Sequence, residues 1–307
     1  MNKDKLIYSF NRLLDEILDR PDYWHPRLKF RQDISYREYY YLDFSAKGNY
    51  PYELKDGIPL VEMNNVSREF SITILNYGLG LIDLYTNKHS DLLAKRIESI
   101  LSWVLENQEK DGAWRNYYEV DFLGLKSGWT SAMGQGLAIS FVYRCYNHGF
   151  LYYDVAYSVI DKAKSYMLTE DLNVLTDSGY VLQEFGGTSE NVLNGFIFAL
   201  YGIRDYCSFI NDMSLFKQYV STLKILSSKY NYFKIWSYYN TNKAISSSFY
   251  HQLHIEMMNS MFFLTSEKAF FSIAKRWELG KWIKLPFIVL KSTQKLINHN
   301  SITTLSS

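Results

Sequence analysis

The sequence predicts an all-α fold preceded by an extended, partly β arm, and three observations carry that reading. From about residue 66 onward, apolar residues recur at three- and four-residue spacing in eight successive segments. The segments fall into four helical hairpins. The first helix of each hairpin carries one polar side chain among small or apolar neighbours: Asn76, Gln135, Asn194 and His254, which lie 59, 59 and 60 residues apart. Equal spacing over four units argues for one supersecondary unit stacked around an axis. An α/α toroid of about four helical hairpins, an incomplete barrel, does this, with first helices inside and second helices outside. A buried amide needs partners. Asn76, Gln135, Asn194 and His254 are therefore read as lining a polar funnel; the alternative is that each satisfies a neighbouring loop backbone.

In chain order, residues 4–19 have the pattern of a short amphipathic helix. Residues 21–61 are aromatic and proline-bearing, with strand-like alternation at Tyr39, Tyr41 and Phe44. Turn signals stand at Asn49-Tyr50-Pro51 and Asp56-Gly57, so this stretch reads as an extended arm with one hairpin. Helices are expected at 68–87, 90–107, 130–147, 151–168, 189–209, 213–229, 250–264 and 267–278. The expected organisation is an arm over 1–65, a helical domain over 66–278 and a basic, aromatic tail over 279–307.

Composition narrows the function. Hydrophobic residues at 47% and charged residues at 21% are ordinary for a soluble globular chain. Aromatics reach 17%, led by 27 Tyr, and a surplus of rings with polar tips suits a protein that handles carbohydrate. A net charge of +1 gives no field to steer a polyanion, so nucleic acid is not an expected partner. Cys145 and Cys207 lie in apolar helical runs and read as buried thiols of a reducing compartment. The N-terminus has no apolar signal core, and no run reaches the ~20 apolar residues of a membrane span. A cytoplasmic location is expected.

The most informative segment is SGWTSAMGQGLA, residues 127–138. Glycine costs a helix interior about 1 kcal/mol relative to alanine, so Gly134 and Gly136 imply close approach of another helix, a backbone or a ligand. Trp129 at the mouth of that helix is a candidate platform for a sugar ring. By the repeat, Trp129, Glu184 and Tyr250 all fall shortly before or at the start of inner helices, at one end of a toroid. Tyr250 and His254 share a helix face.

Seven stretches resemble the D-glucuronyl C5-epimerase family, in its C-terminal helical domain. SGWTSAMGQGLAIS (127–140) is similar to the family's SGW-x-SAM-x-QG run, and VLNGF (192–196), after the loop with Glu184, to its second signature. YHQLHIEMMNSM (250–261) with KRW (275–277) is similar to its C-terminal signature. YYLDFSAK (40–47), DGIPLV (56–61) and KDGAW (110–114) are like segments of bacterial members.

The resemblance implies conversion of D-glucuronate to L-iduronate inside a glycan, by removal of the C5 proton and its return on the opposite face. It places the acid/base groups on a glutamate and tyrosines: Glu184, Tyr250, and Tyr238 or Tyr239 from the 231–249 loop. A tyrosine, with a reference pKa of about 10, needs positive charge nearby to act as a base. His251, His254, Arg115 and Arg144 are candidates for that field or for gripping the substrate carboxylate. Trp129, Gln135, Asn194 and Asn76 complete the expected substrate contacts.

Two departures stand out: Phe185 follows the glutamate where the family often has tyrosine, and Thr130 follows Trp129 where tyrosine is frequent. No metal is expected, since His251 and His254 have no carboxylate cluster near them in sequence. No cofactor is implied. The tail carries Lys281, Lys284, Lys291 and Lys295 beside Trp282, and reads either as a strand or helix docked on the body or as a contact to the inner face of an anionic membrane. A homodimer is compatible with all of this. A uronate lyase and a non-catalytic glycan-binding module remain the alternatives to the epimerase.

Overall fold

A computed structural model describes residues 14–305 apart from Asp19, Asp33 and Asn64, with side chains described to residue 294 apart from Phe122. The chain is mostly helical. Of the N-terminal helix expected at 4–19, residues 14–18 (α1) are helical; residues 4–13 lie outside the described residues. Two compact units form: residues 30–225, and residues 226–307 together with the N-terminal segment.

The 30–225 unit begins with the arm. Tyr40, Tyr41 and Leu42 are consecutive and fully buried, so the expected alternation is absent and this stretch is enclosed on both sides. Asp83, itself buried, accepts from the Tyr40 N–H (3.2 Å) and the Phe44 N–H (2.8 Å) and meets the Arg31 guanidinium at 3.2 Å. Burial raises its carboxyl to about 6. Strands β1 (Leu54–Lys55), β2 (Ile58–Met63) and β3 (Val66–Glu69) then form an antiparallel meander, one strand more than a single hairpin. Asp56 and Gly57, both at positive φ, make the two-residue turn that their sequence signals.

Helices α2 (Ser71–Asn87), α3 (Asp91–Asn107), α4 (Ala132–Asn147), α5 (Tyr153–Met167), α6 (Leu193–Phe209) and α7 (Ser214–Leu226) follow. They make two layers. α4 packs between α2 and α6 and is buried on every side from Ala132 to Cys145. α3 and α5 bury one stripe each, through Ile97, Ile100, Leu101 and Val104, and through Ala156, Val159, Ile160, Ala163 and Met167. Inner and outer helices thus alternate along the chain. A hairpin, β4 (Asn173–Thr176) and β5 (Gly179–Leu182), precedes α6.

Of the two α4 glycines, Gly136 serves helix contact, whereas a methyl on Gly134 would meet nothing closer than Ser131 Cβ at 3.5 Å, so the close approach expected there is absent. A methyl on Gly136 would lie 2.7 Å from Cα of Ala199 and 2.8 Å from the Phe198 carbonyl, and one on Gly202 would strike the backbone of Gly136. The α4 and α6 backbones touch there, so the helix-propensity cost of Gly136 and Gly202 is offset by packing.

In the second unit, β6 (Asn231–Tyr232) pairs with β7 (Trp236–Ser237), and α8 (Ser248–Thr265) packs on α9 (Lys268–Gly280). The tail forms helix α10 (Lys284–Leu305), docked through Phe287 and Ile288. Phe287 stacks on Trp236 with centroids 4.5 Å apart. Among the described residues no helix is long and apolar enough to cross a membrane.

Candidate active site

In the 30–225 unit, the starts of α2, α4 and α6 are tied to one another. Asn116 accepts from the Ser71 N–H at the head of α2 (3.1 Å) and exchanges backbone bonds with the Gly128–Trp129 segment. Ala132, the first residue of α4, donates to the Gln183 carbonyl (3.1 Å), and the Gly186 N–H donates to the Thr130 carbonyl (3.0 Å). Glu184 is thereby held between two cross-links to the SGWTSA segment. Ser131 caps α4, accepting from the Gly134 N–H at 3.1 Å.

Glu184 is 8% exposed and packs against Gly195 in the first turn of α6. A methyl on Gly195 would stand 2.6 Å from its Cβ and 2.9 Å from its Cγ. The glycine of the VLNGF signature therefore makes room for the stem of this side chain. Gly195→Ala is expected to displace Glu184 and to cost about 1–3 kcal/mol of stability, measured by the denaturant midpoint. Three helix N-termini at one end carry partial positive charge, which suits an anionic group there.

Trp129 is 7% exposed in a cluster with Tyr118 and Leu125. Phe70, Tyr118 and Phe185 meet its ring edge to face at 5.8, 5.8 and 5.5 Å. Enclosed by these rings, it is a wall more than the open sugar platform expected from sequence. Beside it opens a cleft of about 420 Å³ lined by Arg115, Thr130, Tyr166, Asp171 and Gly186. Thr130 donates to Asp171 (3.3 Å) and accepts from the Tyr166 hydroxyl (3.4 Å). Arg115 donates to the same hydroxyl at 3.4 Å, while ion pairs with Glu109 (2.5 Å) and Asp111 (2.6 Å) offset its charge. Tyr166 and Asp171 escaped sequence reading because neither sits in a motif; only the fold brings them to Thr130.

The four equally spaced polar residues are not equivalent. They are the sixth, fourth, second and seventh residues of α2, α4, α6 and α8, so loops of compensating length hold the interval constant. The Gln135 amide faces loop backbone: its nitrogen donates to the Gly112 carbonyl (3.2 Å) and its oxygen accepts from the Trp114 N–H (3.1 Å). It is a loop clamp and not a funnel ligand. Among the described residues the buried amide oxygens of Asn76 and Asn194 meet no hydrogen-bond donor, and remain the candidates for ligand or water contact.

Arg144 also departs from expectation. It is fully buried, 2.7 Å from Asp205 of α6, and donates to the carbonyls of Tyr36, Tyr39 and Ser140 at 2.8–2.9 Å. It fastens the arm to the inner helices and has no face for a substrate.

In the second unit, Tyr250 opens α8, its N–H donating to Ser247 at 3.3 Å. Tyr239 meets it edge to face at 4.8 Å, whereas Tyr238 packs on Tyr232 at 5.2 Å. Of the two, Tyr239 and not Tyr238 is the phenol beside Tyr250. His254 lies one turn along, rings 6.4 Å apart.

The two histidines are buried and neutral. Nδ1 of His251 accepts from the Ser237 N–H (3.1 Å), leaving Nε2–H to donate to the Trp277 carbonyl (3.0 Å); the ring stacks on Trp236 at 3.7 Å. Burial pushes His251 down to about 3 and His254 well below its ordinary value. Neither supplies the positive field expected of them. Both protonate more readily in the unfolded chain, near 6.5, so their contribution to stability is present above that pH and is lost as pH falls. Expected is a fall in the denaturant midpoint as pH drops below neutral, on the order of 1 kcal/mol per pH unit for His251 down to about pH 3.

The family described as D-glucuronyl C5-epimerase C-terminus matches residues 108–279, more than half of the chain. The chain belongs to that family. The match runs from the loop before SGWTSAMGQGLA to the end of α9 and includes Glu184 and Tyr250. It gives this family member an epimerase-type function.

Proposed function

We propose that this family member is a uronosyl C5-epimerase that converts D-glucuronate to L-iduronate within a bacterial polysaccharide or lipid-linked oligosaccharide. The observation that carries the reading is Glu184, a nearly buried carboxylate fixed at the joined starts of α2, α4 and α6 inside the family-matching region. Epimerisation breaks the C5–H bond, and its electron pair passes into the neighbouring carboxylate as an enolate. One group takes the proton; another returns a proton to the opposite face. Glu184 is assigned one transfer and Tyr250 the other, each on the sequence position it shares with the family.

The enolate gathers negative charge on the substrate carboxylate, which must be stabilised in place. Arg144 and the two histidines are unsuited to that work, being buried in an ion pair or held neutral. The helix N-termini at the Glu184 end provide a fixed positive field instead. A near-neutral chain suits an unsulfated glucuronate glycan better than a heavily sulfated one.

The test is incubation of unsulfated glucuronate-containing glycans in deuterated water, read by NMR at C5. Deuterium at C5 with iduronate formed is the expected result. No exchange on any such glycan overturns the proposal, and a 4,5-unsaturated product absorbing in the ultraviolet would identify a lyase. Tyr250→Phe is expected to lower exchange by roughly 10²-fold or more.

A further inference from the structure

From Leu279 to Leu290 the chain presents an apolar stripe to solvent on a helix whose other face is docked. The backbone stays right-handed helical through the joint, with φ/ψ of −62/−27° at Gly280, −60/−32° at Lys281 and −63/−28° at Lys284. Leu279, Trp282, Leu285 and Val289 therefore recur at three- and four-residue spacing along one side, and are 61, 88, 55 and 62% exposed. The docked side is Phe287 and Ile288, with Lys291 paired to Glu16 and Gln294 bonded to the backbone of Lys243 and Ile245.

Charge borders the exposed stripe with one sign. Lys275, Arg276, Lys281 and Lys284 stand around it, against the single carboxylate of Glu278, which lies 3.6 and 3.8 Å from two of those lysines. From residue 279 to the end of the sequence there is no aspartate or glutamate. Two copies meeting on this face would bring lysine against lysine, and aliphatic Leu285 and Val289 offer a sugar ring no platform. An anionic bilayer satisfies both halves of the surface: acyl chains take the stripe, headgroup phosphates take the lysines.

We propose that the α9–α10 joint is an interfacial anchor that seats this protein on an anionic lipid surface, with Trp282 at headgroup depth. The seating is reversible, since the exposed stripe is short. It is independent of the reaction assigned to Glu184.

The full chain is mixed with phosphatidylglycerol–phosphatidylcholine vesicles at low ionic strength and sedimented, with pure phosphatidylcholine as reference. Binding to the anionic vesicles, weakened by salt, is expected. Lys281→Glu/Lys284→Glu is expected to weaken it at least about 25-fold, taking about fivefold per lysine. Trp282→Ala/Val289→Ser should weaken it at least tenfold, on the order of what the lost apolar contact supplies. Both variants should keep the wild-type melting temperature and, on a short soluble oligosaccharide, the wild-type C5 exchange rate. Three results would overturn the anchor: no binding of the wild type to anionic vesicles, equal binding by both double variants, or a concentration-dependent dimer in sedimentation equilibrium that Trp282→Ala dissolves.

Discussion

Glu184→Gln is expected to remove C5 exchange while leaving the fold in place. The amide keeps the size and shape of the carboxylate, so the contact with Gly195 and the two backbone cross-links around residue 184 survive. What is lost is a group that takes and gives a proton. General acid–base catalysis by one positioned side chain contributes about 10²–10⁴ in rate, and a fall of that size is expected. The check pairs deuterium incorporation at C5 with a denaturant midpoint. Loss of exchange with an unchanged midpoint supports the assignment. Retained conversion of glucuronate to iduronate at the wild-type rate would remove Glu184 from the chemistry, whatever the variant's stability.

The largest effect on stability is expected at Arg144. Arg144→Met takes the 2.7 Å ion-pair partner from the fully buried Asp205, which keeps the Tyr41 hydroxyl as a donor at 2.6 Å. It also leaves the carbonyls of Tyr36 and Tyr39 without their donor. Breaking a buried ion pair by removing one partner costs about 3–5 kcal/mol. Arg144→Met/Asp205→Leu should recover part of that by removing the stranded charge, but not the part owed to the two carbonyls. Arg144→Lys should fall between wild type and Met, since an ammonium lacks the planar fork that reaches four acceptors at once. Denaturant midpoints across the four proteins measure the series. A double variant no more stable than Arg144→Met would show that the carbonyls, not Asp205, carry the effect.

The helices were legible because their signal is local. Each of the eight apolar segments became a helix, with ends shifted by a few residues where a cap or strand intervened, as where β3 takes the expected start of α2. The Asp56-Gly57 turn was legible for the same reason, being set by the conformational freedom of its own residues. Gly136 announced close approach from its place inside a helix, and its partner proved to be α6. Resemblance located Glu184, Tyr250 and the signatures around them.

Side-chain role was not legible, because polar type and regular spacing do not say what a group faces after folding. Gln135 stands at the repeat interval and clamps a loop; Arg144 has the charge to hold a carboxylate and pins the arm instead. His251 and His254 look like cations in the sequence, yet burial holds them neutral. Tyr238 and Tyr239 are adjacent, and only the path of the loop brings Tyr239 against Tyr250. The sequence by itself determined the helical class, the family and the position of the nearly buried glutamate. Tertiary structure alone decided which charges are paired or held neutral by burial, and that Thr130, Tyr166 and Asp171 share one cleft, because desolvation and long-range contact act between residues distant in the chain.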